Sequence, residues 1–416
     1  MALSLNVLKI PDFRFLMSSR MFTNMALQAQ AIIVAWQVYS ITHSPWMLGL
    51  TGLAEAVPAL TCALFSGHVV DGNRPQFVLF TSQVVLTLNT LMLFLIGGGI
   101  LTHPGMHILP FLYAGVFISG VARSFMMPSA FSLLSKIVTK NQMAAASGWL
   151  NSGFQFGIIT APALAGLLYG GYGATVAWVL PTSFIIVALL CNWRISAPAK
   201  AAKNGEKREA AWHSIRNGWK FIFQNQIMLA VMALDMFSVL FGGAVAMLPA
   251  YADQVLHVGS QGLGILRAAP AIGSICVALL LAMQPMQKVR TRNLLLVIVG
   301  FGLCMIDFGL SKSFALSICL LALSGAFDSV SVITRSTIFQ LLTPDDMRGR
   351  VSAVNSMFVI SSNEIGAFES GLAARLFGLV PSVVIGGFAC LGVVVATAFF
   401  SPKMRSLVID AEEVTK

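Results

Sequence analysis

Twelve apolar segments, each about as long as a bilayer is thick, divide this chain. A helix needs about 20 mostly apolar residues to cross a membrane, and the sequence reaches that length in twelve places. The predicted spans are 13–41, 45–70, 76–101, 107–134, 143–170, 173–193, 226–252, 260–284, 292–311, 314–342, 349–377 and 381–401. Only 10% of the 416 residues are charged, against roughly 25% in a soluble domain. The pattern predicts an all-α membrane protein with twelve transmembrane helices.

One polar, basic segment separates the first six spans from the last six. Residues 194–220 hold seven Lys or Arg and two Glu. Apolar residues recur at helical spacing in its second half: Trp212, Ile215, Trp219 and Ile222. This spacing predicts an amphipathic helix over 209–223 on the inner membrane surface. The predicted organisation is a six-helix bundle (1–193), a cytoplasmic linker with an amphipathic helix (194–225) and a second six-helix bundle (226–416).

The distribution of basic residues predicts the orientation of the chain. Lys and Arg are concentrated in the linker and in alternate turns, whereas the opposite turns hold only Lys312 and, near a boundary, Arg375. The positive-inside rule then places both termini and the linker in the cytoplasm. Because topology accounts for the net charge of +10, we expect no nucleic-acid partner.

The two halves of the sequence repeat each other. Glu55-Ala-Val-Pro-Ala matches Arg267-Ala-Ala-Pro-Ala at an offset of 212 residues, and Thr139 to Asn151 matches Thr343 to Asn355 at an offset of 204. A duplication in one orientation predicts two bundles related by a pseudo-twofold axis along the membrane normal. The fold would then place a substrate site between the halves, at mid-depth.

Charged residues inside the predicted spans are the first candidates for function, since each raises the free energy of insertion by a few kcal/mol. Four carboxylates lie closest to the middle of their spans: Glu55, Asp235, Asp328 and Glu364. One interpretation is fixed ion pairs between helices, which suits Arg123 and Arg335 best because they lie nearer the cytoplasmic ends. The other is substrate contact or proton carriage, since a carboxylate in a low-dielectric setting can titrate near neutral pH.

Glu55 is our first choice for the proton-coupling residue. Its repeat mate is Arg267, so the two positions would lie at similar depth on opposite halves with opposite charge. Asp235, Asp328 and Glu364 are the alternatives, in that order. Uncharged polar residues predicted to line the same cavity are Asn24, Gln28, Asn151 and Asn355.

Two glycine-containing motifs carry a resemblance to a known family. Gly67-His-Val-Val-Asp71-Gly-Asn-Arg74 resembles motif A of the major facilitator superfamily, although Arg74 is all that remains of the basic tail. The fifth span resembles the antiporter motif of that superfamily. Its matching positions are Gly153, Gly157, Pro162 and Gly166. Small residues four apart also allow ordinary close packing of helices, so packing alone is the alternative reading.

The turn before the eleventh span indicates a branch of this superfamily. Thr343-Pro-Asp345-Asp-Met-Arg348-Gly-Arg350, together with Gly264-Ile-Leu-Arg267-Ala-Ala-Pro270, is similar to the drug:proton antiporter branch, which includes siderophore and macrolide exporters. Asp345, Arg348 and Arg350 are expected to form an inner gate with Asp71, Arg74 and Gly67. A purely solvated turn is the alternative.

The resemblance implies an alternating-access transporter in the bacterial inner membrane that exports a siderophore, a macrolide or another amphipathic molecule in exchange for protons. Uptake or lipid movement by the same fold, and a membrane sensor that transports nothing, are the alternatives. The sequence holds no enzyme motif and no metal-ligand cluster, so we expect no enzymatic activity, no metal site and no cofactor beyond the proton gradient. The expected partners are a small-molecule substrate and the lipid bilayer, and the expected state is a monomer.

Overall fold

The computed structural model describes residues 5–101, 107–196, 219–283, 288–344, 347–401, 404 and 408–410. The helices of the first half are α1 (Pro11–Thr42), α2 (Pro45–Gly72), α3 (Pro75–Gly97), α4 (Leu109–Ile137) and α5 (Met143–Trp193). Proline stands in the first turn of α1, α3 and α4, where its missing N–H removes no helical hydrogen bond. Helix α5 is kinked at Gly173, whose φ of 82° is left-handed, and so contains the fifth and sixth spans.

The helices of the second half begin after the linker. They are α6 (Gln226–Phe241), α7 (Leu248–Gln254), α8 (Gly259–Met283), α9 (Thr291–Leu310), α10 (Phe314–Leu342), α11 (Arg348–Phe377) and α12 (Leu379–Phe400). The seventh predicted span is not one helix. A 3-10 helix, Gly243–Met247, joins α6 to α7 next to Gly242, where the backbone leaves the α conformation.

The predicted all-α membrane fold is confirmed. Within the described ranges, nine helical segments are long and apolar enough to cross a membrane, and one of them, 145–193, contains the fifth and sixth predicted spans. Helices α1 and α11 match the remaining two predicted spans in length. They carry more polar residues, so their mean hydropathy is too low for them to be counted among the nine.

Two short strands were not predicted. Strand β1 (Lys288–Arg290) follows α8, and strand β2 (Val408–Asp410) lies near the carboxyl end of the chain. They pair antiparallel, with Val289 opposite Ile409. A strand of three residues is too short to show an alternation of polar and apolar side chains in the sequence. These strands are therefore recognisable only from their pairing in the structure.

The chain forms two compact units. Unit 1 comprises 1–43, 54–208 and 259–265, and unit 2 comprises 44–53, 209–258 and 266–416. Helices α2 and α8 therefore contribute residues to both units. Each unit has its own apolar core: Phe13, Leu16 and Leu133 are fully buried in unit 1, and Val231, Leu294 and Ile338 in unit 2.

The predicted amphipathic helix is described only at its end. Trp212 and Ile215 lie outside the described residues, whereas 219–224 are helical. Ile222 is buried beside Val351 and Val354 of α11. The ring of Trp219 lies 5.1 Å from that of Phe358. This last turn therefore packs against α11 in unit 2 rather than only against the membrane surface.

Candidate functional site

Glu55 has a partner inside unit 1. Its carboxylate forms an ion pair with Arg123 of α4. The two helices approach closely because Gly120 has no side chain: a Cβ there would lie 2.6 Å from the carbonyl oxygen of Glu55. The arginine side chain is 47% exposed and that of Glu55 is 21% exposed. The carboxylate that we rank first for proton coupling thus forms an ion pair with a neighbouring arginine, and its role in coupling stays a prediction.

A second ion pair lies deep in unit 2. Asp235 of α6 pairs with Arg335 of α10, and both side chains are about nine-tenths buried. Arg335 also donates from Nε to the carbonyl of Ser331, one turn earlier on its own helix, at 3.3 Å. The expectation that Arg123 and Arg335 form ion pairs between helices is confirmed.

A small cavity adjoins the buried pair. Its volume is about 20 Å³, enough for one water molecule. Its polar lining consists of Asp235, Ser238, Asp328 and Ser331, and its apolar lining includes Phe301 and Phe327. Asp328 is half-buried, and no residue in the described part of the chain forms a hydrogen bond or ion pair with its side chain. Two carboxylates therefore line this cavity, and of these Asp235 is paired with an arginine.

Arg267 and Glu364 also belong to unit 2. Arg267 donates from Nη1 to the carbonyl of Val245, in the 3-10 helix between α6 and α7, at 3.1 Å. Glu364 is half-buried on α11, where its carbonyl faces Gly52: a Cβ on that glycine would lie 3.0 Å away. Neither observation tests a role in substrate binding.

The predicted uncharged cavity residues have different surroundings. Asn24 donates to the carbonyl of Phe154 at 2.9 Å and so joins α1 to α5. Gln28 and Asn355 are half-buried, and Asn151 is exposed. Asn24 is thereby shown as a contact between helices, and the other three stay predictions as substrate contacts.

The glycines of the antiporter motif bring helices together within unit 1. A Cβ on Gly157 would lie 2.8 Å from Nδ2 of Asn24, and one on Gly166 would lie 2.8 Å from the Cα of Gly264. Gly153 has more room, with Met21 at 3.5 Å. Pro162 lies inside α5, between the two close approaches. This geometry shows tight packing, and the role in antiport stays a prediction.

The predicted inner gate is described only in part. Asp345 lies outside the described residues, and the side chains of Asp71 and Arg348 are not described. Arg74 is exposed, and Arg350 donates to the sulfur of Met347 at 3.3 Å. A Cβ on Gly67 would meet nothing within 4 Å, so this position imposes no close approach. The gate stays a prediction.

A network of uncharged amides inside unit 1 was missed. The buried Gln83 of α3 donates to the hydroxyls of Ser19 and Thr23 and accepts from Asn192, at 2.7–2.9 Å. Farther along, Gln30 and Asn89 both donate to Ser119, at 2.8 and 3.0 Å. Amides in apolar spans are the signal for such a network, but sequence alone does not say which ones meet.

The last feature of the site is the placement of the charged and metal-ligating residue types among the described residues. Among them, no group of three or more His, Cys, Asp or Glu is placed to hold a metal ion. The described charged groups include the ion pair of Glu55 with Arg123 in unit 1, the ion pair of Asp235 with Arg335 in unit 2, and Asp328, which lines a cavity together with Asp235.

Comparison with known proteins gives consistent results. The model of the Major Facilitator Superfamily matches residues 16–367. The chain is 25% identical over 391 residues to the enterobactin exporter EntS of Citrobacter koseri, covering 93% of this chain and 91% of that protein. It is 24% identical over 394 residues to EntS of Escherichia coli O1:K1, covering 94% and 92%.

Solved structures share the fold at low sequence identity. A POT family transporter in complex with 5-aminolevulinic acid superposes with a TM-score of 0.75 at 10% identity, covering 94% of this chain and 96% of that chain. The nucleoside transporter NupG gives a TM-score of 0.70 at 12% identity, covering 94% of this chain and 100% of that one.

Proposed function

The chain belongs to the Major Facilitator Superfamily, a family of transporters and not of enzymes, and on that premise we propose that it exports an amphipathic small molecule in exchange for protons. The observation that carries this proposal is the similarity to enterobactin exporters, which extends over more than nine-tenths of both chains. The substrate class that we propose is a siderophore, a macrolide or another drug-like molecule with apolar and polar faces.

The interior charges support a proton-coupled mechanism. Ionisable side chains inside membrane helices are costly, and they commonly mark pathways for ions or protons. Here each unit contains an acid paired with an arginine, and unit 2 has an additional carboxylate on a cavity. A carboxylate that gains and loses a proton changes the charge inside its bundle, and such a change can bias two conformations that differ in proton access.

The proposed export is tested in proteoliposomes. Purified protein is reconstituted, a pH gradient is imposed, and accumulation of a catecholate chelator, a macrolide and a cationic dye is measured. We expect accumulation of at least one compound against its concentration gradient, and its loss when a protonophore collapses the pH gradient. Counterflow without any effect of the gradient would favour uptake or exchange, and a labelled lysolipid tests lipid movement.

A sensor that transports nothing gives a different result in the same preparation. It would bind a compound, as measured by tryptophan fluorescence, yet give neither counterflow nor accumulation. Binding without flux for every compound that binds would therefore contradict the proposal.

We also propose the bacterial inner membrane as the location, with both termini and the linker in the cytoplasm. The linker's seven basic residues support this orientation. The six native cysteines are replaced, one cysteine is introduced at Asn204, and intact cells are treated with an impermeant thiol reagent. We expect labelling only after the cells are opened, and labelling of intact cells would reverse the orientation.

A further inference from the structure

The crossing of α2 with α4 in unit 1 has a counterpart in unit 2, the crossing of α8 with α10. In unit 1 a Cβ on Gly120 would lie 2.9 Å from Pro58. In unit 2 a Cβ on Gly325 would lie 2.6 Å from the Cα of Pro270. Pro58 and Pro270 are 212 residues apart, and Gly120 and Gly325 are 205 apart. In both pairs of helices a glycine therefore packs against a proline, against its ring in unit 1 and against its backbone in unit 2.

The charges beside these two contacts are exchanged. Glu55 lies three residues before Pro58, and Arg123 lies three residues after Gly120. At the corresponding positions of unit 2 stand Arg267, three residues before Pro270, and Asp328, three residues after Gly325. The acid and the base have thus changed helices, while the packing that sets their separation is the same.

The two counterparts differ in what their acids contact. In unit 1 the acid and the base form an ion pair. In unit 2 Arg267 donates to the carbonyl of Val245, and Asp328 instead lines the cavity that contains Asp235. Asp235 itself is paired with Arg335. Helix α9 also lines this cavity, and its residues there, Val297, Ile298 and Phe301, carry no charge.

We propose that Asp328 is the residue that carries the coupling proton, and that Arg267 is its ion-pair partner once the proton has left. This inference rests on the proposed proton-coupled function and names the group that performs it. Arg335 compensates Asp235, and the described residues that line the cavity include no cation to compensate a negative charge on Asp328, so we assign the protonated, neutral form of Asp328 to this conformation.

Loss of the proton has a structural consequence. An anionic Asp328 attracts the guanidinium of Arg267 across the crossing of α8 and α10, just as Arg123 and Glu55 attract each other across the crossing of α2 and α4 in unit 1. Arg267 would then leave the carbonyl of Val245, which belongs to the non-helical joint between α6 and α7. That joint packs against α11, where a Cβ on Gly243 would lie 2.5 Å from Oγ of Ser370. The protonation state of Asp328 is thereby linked to the one broken span described in unit 2.

Infrared difference spectroscopy tests the assignment without reference to transport. Lipid-reconstituted protein is titrated with acid, and the C=O stretching band of protonated carboxyl groups is followed. We expect Asp328→Asn to remove one titrating band and the control Glu369→Gln, a half-buried carboxylate of α11, to retain it. A band that persists in Asp328→Asn, or that disappears in Glu55→Gln instead, overturns the proposal.

Transport gives the second measurement. Asp328→Asn should lose accumulation driven by a pH gradient down to the level of empty liposomes, yet retain counterflow of the same substrate. Asp328→Glu keeps a titratable group and should retain both activities. If Asp328→Asn does not fold, a shifted carboxyl band in the infrared spectrum of Asp328→Glu identifies the residue instead. Gradient-driven accumulation by Asp328→Asn equal to wild type overturns the inference.

A wild-type protein whose transport does not respond to the pH gradient contradicts the proposed function, while the infrared bands still decide whether Asp328 is the titrating residue.

Discussion

Uncharged amides hold the interior of unit 1 together, whereas ions do so in unit 2. In unit 1 the buried Gln83 and Asn89 connect α1, α3, α4 and α5 through hydroxyls and carbonyls. In unit 2 a buried ion pair, Asp235 with Arg335, connects α6 to α10 next to a cavity. Side-chain amides are uncharged at every pH, whereas a carboxyl group gains or loses its charge as the pH changes. On our proposal, proton-dependent change belongs to unit 2 and the amide network of unit 1 provides a fixed framework.

The largest expected effect comes from breaking the ion pair of unit 2. Arg335→Met leaves Asp235 as a buried charge without compensation, and we expect the free energy of unfolding to fall by about 3–5 kcal/mol. Thermal unfolding in mild detergent measures this loss. The double variant Asp235→Leu with Arg335→Met removes both charges and should recover most of the stability. A single variant as stable as wild type would show that the pair does not hold unit 2 together.

Adding a methyl group at the crossing of α8 and α10 is expected to have the next largest effect. Gly325→Ala places a Cβ against the backbone of Pro270, which cannot rotate away, and should lower the free energy of unfolding by up to about 3 kcal/mol. Gly120→Ala tests the corresponding crossing in unit 1. The control is Gly392→Ala on α12, which has nothing within 4 Å. Equal stability of all three variants would contradict the shared packing.

Loss of one amide from the network of unit 1 should lower the free energy of unfolding, although no charge is removed. Gln83→Leu removes two donated hydrogen bonds and leaves the amide of Asn192 buried without its acceptor, so we expect a loss of about 2 kcal/mol in the free energy of unfolding. Transport by the folded protein should keep its dependence on pH. A changed pH profile of transport in this variant would mean that unit 1 takes part in coupling.

Breaking the ion pair of unit 1 should have the smallest effect. The Arg123 side chain is nearly half exposed, and exposed pairs contribute about 0–1 kcal/mol, so Arg123→Gln should lower stability by no more than about 1 kcal/mol. Parallel unfolding curves of Arg123→Gln and Arg335→Met compare the two pairs directly. A loss in Arg123→Gln as large as that in Arg335→Met would remove the distinction between the units.

Much of the candidate site was predictable as a set of residues, but not as a set of contacts. Asp235, Asp328 and Arg335 were recognisable because charges are rare in apolar spans. Arg123 and Arg335 were expected to form ion pairs, and both do. The ranking of the carboxylates for proton coupling stays a prediction: Glu55 comes first because of its position in the repeat, and the structure adds only that it is paired with Arg123.

The sequence by itself determined the number of membrane crossings, the internal duplication and the family. These follow from span length, from the recurrence of short motifs and from matched positions along the chain, all of which are linear properties. The tertiary structure decided which charges neutralise each other. An ion pair depends on separations of a few ångströms between helices that are distant in sequence, and glycines such as Gly120 and Gly325 set those separations. Equivalent crossings in the two units thus leave Glu55 paired and Asp328 on a cavity, a difference that only the side-chain contacts show.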